Sequence, residues 1–211
     1  MIGTGSPPPF GVVAVVASLG GLAAVSTVLA ALPATFPAHV VVAQHGRSDD
    51  DPGRLARLLS GVTDLPVRTA RTGTSLYAPG VSVVPAGRHA TVDATDRLAL
   101  TAGPGTSGGD GLFAGVAAAA GPRVIGVVLT GMLADGAAGV RAVKRRGGRV
   151  LVEDPATARA GGMPGAAIAT GCVDFVLRGD RIGPALVALT MAPGAAELLA
   201  VPTPSWARLH A

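Results

Sequence analysis

Short, continuous apolar runs recur along this chain and alternate with segments whose apolar residues repeat at helical spacing. The first pair is Gly11–Ala17, a run typical of a strand buried on both faces, and Leu22–Leu32, where Leu or Val recurs every three or four residues. Strands that alternate with helices usually form a parallel sheet covered by helices on both faces. The pattern therefore predicts an α/β fold with a doubly wound, mostly parallel sheet.

The alternation continues to about residue 190. The further predicted strands are His39–Gln44, Val124–Leu129, Arg149–Val152 and Val173–Leu177, and the further predicted helices are Asp51–Ser60, Leu112–Ala120, Ala137–Arg146, Met163–Thr170 and Asp180–Thr190. Residues 65–101 differ, because their short β-prone pieces are separated by turn residues such as Pro85-Ala86-Gly87. We expect this region to form small antiparallel hairpins beside the main sheet.

The composition fits one domain with a large core, since 49% of the 211 residues are apolar and 14% are charged. We assign residues 11–191 to that domain, 1–10 to a flexible leader and 192–211 to a tail of unassigned role. The net charge of +4 leaves an acidic partner possible, but the arginines are dispersed, which disfavours nucleic acid. The single cysteine, Cys172, indicates a reducing compartment, and we expect a cytoplasmic protein.

The first 46 residues contain no Asp, Glu, Lys or Arg, so residues 11–32 are long enough to cross a membrane. Three features argue against a span. Gly20-Gly21 interrupts the run, its two halves have different periods, and no basic segment precedes it. We therefore expect a strand, a tight turn and a helix here.

Three predicted strand-end loops carry a hydroxyl, an imidazole and a carboxylate. Ser18 follows the first strand, His45 follows the second, and Asp135 lies in the loop after Val124–Leu129. Open α/β sheets bind ligands beyond the carboxyl ends of their strands, so these loops should meet. A serine becomes a nucleophile when a base accepts its proton and an acid orients that base. The pattern predicts a serine-hydrolase site at Ser18, His45 and Asp135.

Gly20-Gly21 would let the chain turn sharply into a helix and leave backbone N–H groups free to stabilise an oxyanion. Other interpretations stay open. Ser18 could be a turn or capping residue, and the glycine turn could hold a phosphate, although the G-x-G-x-x-G and G-x-x-x-x-G-K-[ST] motifs are absent. The esterase motif G-x-S-x-G is half met, since Val16 stands at its first glycine.

Five stretches occur in an order and spacing typical of one family. They are Ala17-Ser18-Leu19-Gly20-Gly21, Val42-Ala43-Gln44-His45, Pro85-Ala86-Gly87-Arg88-His89, Val128-Leu129-Thr130-Gly131-Met132-Leu133-Ala134-Asp135-Gly136-Ala137, and Glu153-Asp154-Pro155-Ala156-Thr157-Ala158 leading to Gly162-Met163-Pro164. From about Val12 to Thr190, the chain resembles the catalytic domain of the chemotaxis protein-glutamate methylesterases, the CheB type.

The resemblance implies hydrolysis of glutamate γ-methyl esters on a methylated chemoreceptor-like protein, and in some members deamidation of glutamine. It implies that Ser18 is the nucleophile, His45 the general base and Asp135 the orienting carboxylate. The backbone at Met132 and Leu19 would form the oxyanion hole. The cleft would be lined by Gly20, Gly21, Gly131 and Met163. No cofactor and no metal are implied.

The chain also departs from the family pattern. Leu19 stands where the family usually has Thr, and Gly161 and Gly165 stand where it commonly has Tyr and Arg. Gly46-Arg47 replaces the usual Met-Pro, and the family's Arg ahead of a Ser-x-Asp element is not found in residues 106–110. These losses leave a second possibility, a degenerate relative that binds a protein without turnover. The receiver domain of the usual member is not expected in this chain.

Overall fold

The computed structural model describes residues 10–46, 51–103 and 108–201 of the chain. In these residues the strands are β1 (Val12–Ala17), β2 (His39–Gln44), β3 (Val67–Thr69), β4 (Gly80–Val83), β5 (Arg88–Val92), β6 (Leu98–Ala102), β7 (Val124–Val128), β8 (Arg149–Glu153) and β9 (Phe175–Leu177). The helices are α1 (Gly21–Ala30), α2 (Arg54–Ser60), α3 (Gly109–Ala120), α4 (Ala137–Arg145), α5 (Gly162–Ala169), α6 (Gly179–Met191) and α7 (Ala195–Leu198). Apart from Phe10, the expected leader lies outside the described residues.

Seven strands form one sheet in the order β3-β4-β2-β1-β7-β8-β9, and every neighbouring pair runs parallel. β5 and β6 form a separate antiparallel pair. This topology confirms the predicted doubly wound α/β fold. From β1 the chain continues to β2, towards one edge of the sheet. From β7 it continues to β8, towards the opposite edge. The strand order therefore reverses between β1 and β7, the place where open α/β sheets bind ligands.

The central strand β1 is buried on both faces, as its continuous apolar sequence predicts. Val13, Val15 and Ala17 pack into one core with residues of α1, α2 and α6. The alternate residues of the strand pack into a second core with residues of α3, α4 and α5. Burial on both sides fixes the register of β1, and with it the position of the loop that follows.

Two expectations about local structure are wrong. Within residues 65–101, β3 and β4 belong to the main sheet and pair in parallel, so only β5 and β6 form a hairpin. Short β-prone pieces indicate strands but do not identify their partners. The helix expected over Asp51–Ser60 begins at Arg54, because the Asp51 side chain accepts a hydrogen bond from the Gly53 N–H at 2.9 Å and forms a turn before the helix.

Lys144, the only lysine, is buried on α4 and forms an ion pair with the buried Asp174 carboxylate. Its ammonium group also donates a hydrogen bond to the carbonyl of Val201 at 3.1 Å. The first ten residues of the unassigned tail are thereby joined to the domain, and α7 contributes Ala196 to a core. Across the described ranges, no helix is both long enough and apolar enough to cross a membrane.

Candidate active site

Ser18 and His45 lie side by side at the carboxyl ends of adjacent strands. β1 and β2 pair Ala17 with Gln44, so the next residue of each strand is Ser18 and His45. The backbone N–H of His45 donates to the Ala17 carbonyl at 2.9 Å, and the backbone N–H of Ser18 donates to the Thr130 carbonyl at 2.9 Å. The serine is therefore fixed by backbone hydrogen bonds between β2 and the end of β7.

His45 and Asp135 form a hydrogen-bonded pair. The Nε2 atom of His45 lies 2.7 Å from Oδ2 of Asp135, and the two side chains are only 13% and 9% exposed. An ionised carboxylate can only accept, so Nε2 carries the proton and donates it into this bond. Nδ1 is then the ring nitrogen that remains able to accept a proton.

Backbone amides at the start of α3 hold the Asp135 carboxylate. The N–H of Gly109 donates to Oδ2 at 2.8 Å, and the N–H of Asp110 donates to Oδ1 at 3.3 Å. Burial alone would raise the pKa of Asp135, but the hydrogen bonds from His45 and Gly109 outweigh burial and lower it. Asp135 is therefore ionised at neutral pH and can stabilise a protonated imidazole.

Ser18 is half-buried, and in the described part of the chain its hydroxyl forms no hydrogen bond with either ring nitrogen of His45. Catalytic hydrogen bonds are often long or poorly aligned in empty sites and tighten when substrate binds. Since the two residues are neighbours across β1 and β2, the hydroxyl must turn towards Nδ1 for proton transfer.

Two glycines allow the loops to approach one another at the serine. Gly20 adopts φ +83°, and a Cβ atom there would lie 2.7 Å from Cδ of Arg159. A Cβ atom on Gly131 would lie 2.1 Å from the sulfur of Met163 and 2.9 Å from Cβ of Ser18. Gly131 thus lets the loop after β7 pass directly against the serine.

The backbone amides of Leu19 and Met132 are the expected oxyanion donors. Among the residues that the structure describes, neither the Leu19 N–H nor the Met132 N–H donates a hydrogen bond to another backbone group. Leu19 follows the serine directly, and Met132 follows the glycine that touches it. The expected oxyanion donors are therefore placed on the two loops that meet at Ser18.

The remaining expected cleft residues have different surroundings. Gly20 is half-buried at the turn, whereas Gly21 is buried, and a Cβ atom there would lie 2.9 Å from both Cβ of Ala17 and Oε1 of Gln44. Met163 is 1% exposed and packs beneath Gly131, so its side chain supports the cleft floor from inside.

A pocket of about 190 Å³ opens beside His45. Its lining includes Leu22, Pro52, Arg54, Leu55 and Leu58. Large apolar side chains are exposed around the site, namely Leu19, Leu22, Leu58, Met132 and Leu133. The pocket lining is thus mixed, with apolar side chains beside the charged Asp51 and Arg54.

Sequence reasoning missed the amides of Gly109 and Asp110 that hold Asp135. A glycine pair before a helix was a possible signal, because helix N-termini bind carboxylates. The departures at Arg47 and at residues 106 and 107 lie outside the described residues. Within the described ranges, no group of three or more His, Cys, Asp or Glu side chains could hold a metal ion.

Comparison with known proteins agrees with this architecture. The sequence profile of the CheB methylesterase family matches residues 13–186. The protein-glutamate methylesterase FrzG of Myxococcus xanthus is 43% identical over 186 residues, which are 86% of this chain and 55% of that protein. A protein-glutamate methylesterase/protein-glutamine glutaminase of Moorella thermoacetica is 43% identical over 199 residues, covering 90% of this chain and 46% of that protein.

A solved structure is also similar. The CheB methylesterase catalytic domain of Thermotoga maritima superposes with a TM-score of 0.77 at 29% identity, covering 86% of this chain and 99% of that one. The chain spans about half the length of the curated relatives it matches. The matched half corresponds to a catalytic domain.

Proposed function

The chain belongs to the CheB methylesterase family, and from this premise we propose that it is a serine-type carboxyl-ester hydrolase that demethylates glutamate methyl esters on a chemoreceptor-like protein. Its relatives are named for this activity. The observation that carries the proposal is the 2.7 Å hydrogen bond between His45 and Asp135 at the strand end next to Ser18.

In the proposed reaction, the Ser18 oxygen attacks the ester carbonyl while Nδ1 of His45 takes the hydroxyl proton. Asp135, which accepts from Nε2, stabilises the imidazolium that forms. The amides of Leu19 and Met132 bind the oxyanion. His45 then returns the proton to the methoxy group and methanol leaves. Water attacks the acyl-enzyme by the same route and restores the free serine.

The same site would deamidate a glutamine side chain, because an amide carbonyl forms the same acyl-enzyme and releases ammonia in place of methanol. One of the relatives carries the glutaminase name as well. We propose this as a second activity of the site and not as a separate function. Neither reaction requires a metal ion or a cofactor.

The direct test measures methanol release from a methylated receptor fragment. We expect Ser18→Ala to lower the rate by about 10³-fold or more, because the nucleophile is lost. Ser26→Ala, a serine on α1 away from the loops, is the matched control and should keep the wild-type rate. Equal rates for Ser18→Ala and wild type would end the proposal.

A degenerate relative that binds a protein partner without turnover remains the second candidate. It is favoured by the departures from the family pattern at Leu19, Gly161 and Gly165. It is also favoured because, in the described chain, no hydrogen bond joins the side chains of Ser18 and His45. A serine-directed phosphonate separates the two functions. Stoichiometric labelling at Ser18 favours the enzyme, whereas binding of a receptor fragment with no labelling favours the partner-binding protein.

The proposed partner is a methylated chemoreceptor-like protein, with no role for nucleic acid. The apolar rim of the site suits a protein surface better than a highly charged polymer. We propose a cytoplasmic location, which a free and buried Cys172 supports.

A further inference from the structure

Thr130, the buried residue two positions after the end of β7, forms hydrogen bonds through all of its polar groups. Its N–H donates to Oε2 of Glu153 at 2.7 Å, and its carbonyl accepts from the Ser18 N–H at 2.9 Å. Its hydroxyl donates to the Leu19 carbonyl at 2.9 Å and accepts from the Ala160 N–H at 2.9 Å. Thr130 therefore holds the Ser18-Leu19 turn at two points.

Glu153 completes this arrangement from β8. The β7–β8 pairing extends to Val128 and Val152, so the sheet ladder ends before it reaches Thr130. The Glu153 side chain supplies the acceptor that the ladder no longer provides. A buried N–H without a partner would cost about 1–3 kcal/mol, so this acceptor matters for the position of Thr130.

Glu153 is largely buried, beside a pocket that Arg159 and Arg178 also line. The residue is 6% exposed, and no cation forms an ion pair with it in the described residues. Burial raises the pKa of the Glu153 carboxyl, and the hydrogen bond from the Thr130 N–H offsets this only in part. A neutral group with an oxygen at the same place would serve Thr130 without the cost of a buried charge.

We propose that Glu153 is a positioning residue for the Ser18 turn, that it acts through Thr130, and that it serves as a hydrogen-bond acceptor and not as a charge. The proposal rests on the proposed function of Ser18. Loss of the acceptor would release the Thr130 N–H, and any shift of Thr130 moves the backbone on both sides of the nucleophile. The Leu19 and Met132 amides, which would bind the oxyanion, lie on the same two loops.

The first test compares Glu153→Gln with Glu153→Leu. Gln keeps an oxygen acceptor, and Leu has a similar size but none. We expect kcat for ester hydrolysis to stay within about threefold of wild type in the Gln variant and to fall by about 10- to 100-fold in the Leu variant. KM should change little in either. Glu197, the other glutamate of the chain, is exposed on α7, and Glu197→Leu is the matched control.

Three kinetic results would overturn the proposal. Wild-type kcat in Glu153→Leu would show that the acceptor is not needed. An equal loss in the Gln and Leu variants would show that the charge is needed. Should the Leu variant fail to fold, Thr130→Val tests the next step, in which Thr130 holds the serine turn, because it removes the hydroxyl bonds to Leu19 and Ala160 and keeps the N–H that donates to Glu153. The same fall in kcat is expected there, and a wild-type kcat would overturn the proposal.

Amide hydrogen exchange, measured by NMR, separates this proposal from the proposed function. In Glu153→Leu the amides of Thr130 and Ser18 should exchange faster, while the amide of Val15 in the middle of β1 stays protected. If wild type releases no methanol and takes no phosphonate label, the proposed function fails. The exchange measurement would still test the positioning role of Glu153 without any activity, since unchanged exchange at Thr130 and Ser18 would overturn that role.

Discussion

Asp135 is the group on which the behaviour of His45 depends, because it determines which ring nitrogen carries the proton. The carboxylate accepts from Nε2 of His45 and from two amides of α3, so it keeps both its ionisation and its orientation. An amide side chain at this position could present its NH₂ group to the ring and favour the wrong tautomer.

We therefore expect Asp135→Asn to lower kcat by about 10³- to 10⁴-fold with little change in the fold. Its effect on stability should depend on pH. The folded-state pKa of Asp135 is lowered, so its stabilising contribution is present above the ordinary aspartate value and is lost as the pH falls through the folded-state value.

Urea unfolding across the acid range measures this contribution. The free energy of unfolding lost in Asp135→Asn should be largest near neutral pH and should shrink in acid. Asp64→Asn, the same substitution at an exposed aspartate, is the matched control. A loss for Asp135→Asn that is constant with pH would contradict this account.

The positions of Ser18, His45 and Asp135 could be predicted because each directly follows, or lies in the loop after, a strand with an unmistakable apolar run. Parallel strands bring their carboxyl ends to one edge, so the order of the strands was not needed. Thr130 and Glu153 could not be predicted, since their contacts join loops after three different strands. A buried acidic residue at a strand end has no periodic signature.

Helix α5 has open space at one position where the family commonly has a side chain. A Cβ atom on Gly165 would meet nothing within 4 Å, whereas one on Gly161 would lie 3.1 Å from Cβ of Pro155. The Cβ atom of a side chain at residue 165 would therefore meet no obstacle. The missing Tyr at residue 161 would require the Pro155 turn to move.

We expect Gly165→Ala to raise the free energy of unfolding by about 0.5–1 kcal/mol, because glycine is unfavourable inside a helix and the new methyl group meets no obstacle. Denaturant unfolding of the two proteins measures the difference. Gly20→Ala is the opposite control and should destabilise, since Gly20 has a positive φ and lies against Arg159. Destabilisation by Gly165→Ala would show that α5 is not helical at this position.

Residues 65–101 show where prediction from local sequence ends. The β-prone composition of residues 65–101 indicated strands there, and β3 and β4 lie within this region. Their parallel pairing with the main sheet was not predictable, because it depends on the space left beside β2 and on the α2 connection. A pattern of short strands and turns is shared by hairpins and by sheet edges.

The molecule is also held together by one buried ion pair. Lys144 on α4 meets Asp174, which precedes β9 and also accepts from the Val150 N–H at 2.7 Å, and the same ammonium group holds Val201. Together, Lys144 and Asp174 therefore link α4, β8, the residue before β9 and Val201 of the tail.

Removal of one member of a buried pair leaves the other charge without compensation. We expect Lys144→Met to lower the free energy of unfolding by about 3–5 kcal/mol. Arg145→Met, at the exposed neighbour on the same helix, should change it by less than about 0.5 kcal/mol. Thermal and urea unfolding measure both, and an equally small effect of the two changes would mean that the pair contributes little.

The place of β1 in the sheet has a consequence for biosynthesis. One edge of β1 pairs with β2, but the other pairs with β7, so that Val12 meets Val124. A ribosome must therefore translate more than half of the chain before the second edge of β1 can be covered. Until then the nascent chain presents an open apolar strand, the kind of surface that chaperones bind. The serine turn lacks its hydrogen bond to the Thr130 carbonyl until that residue has emerged, and the Thr130 N–H lacks its acceptor until Glu153 has followed.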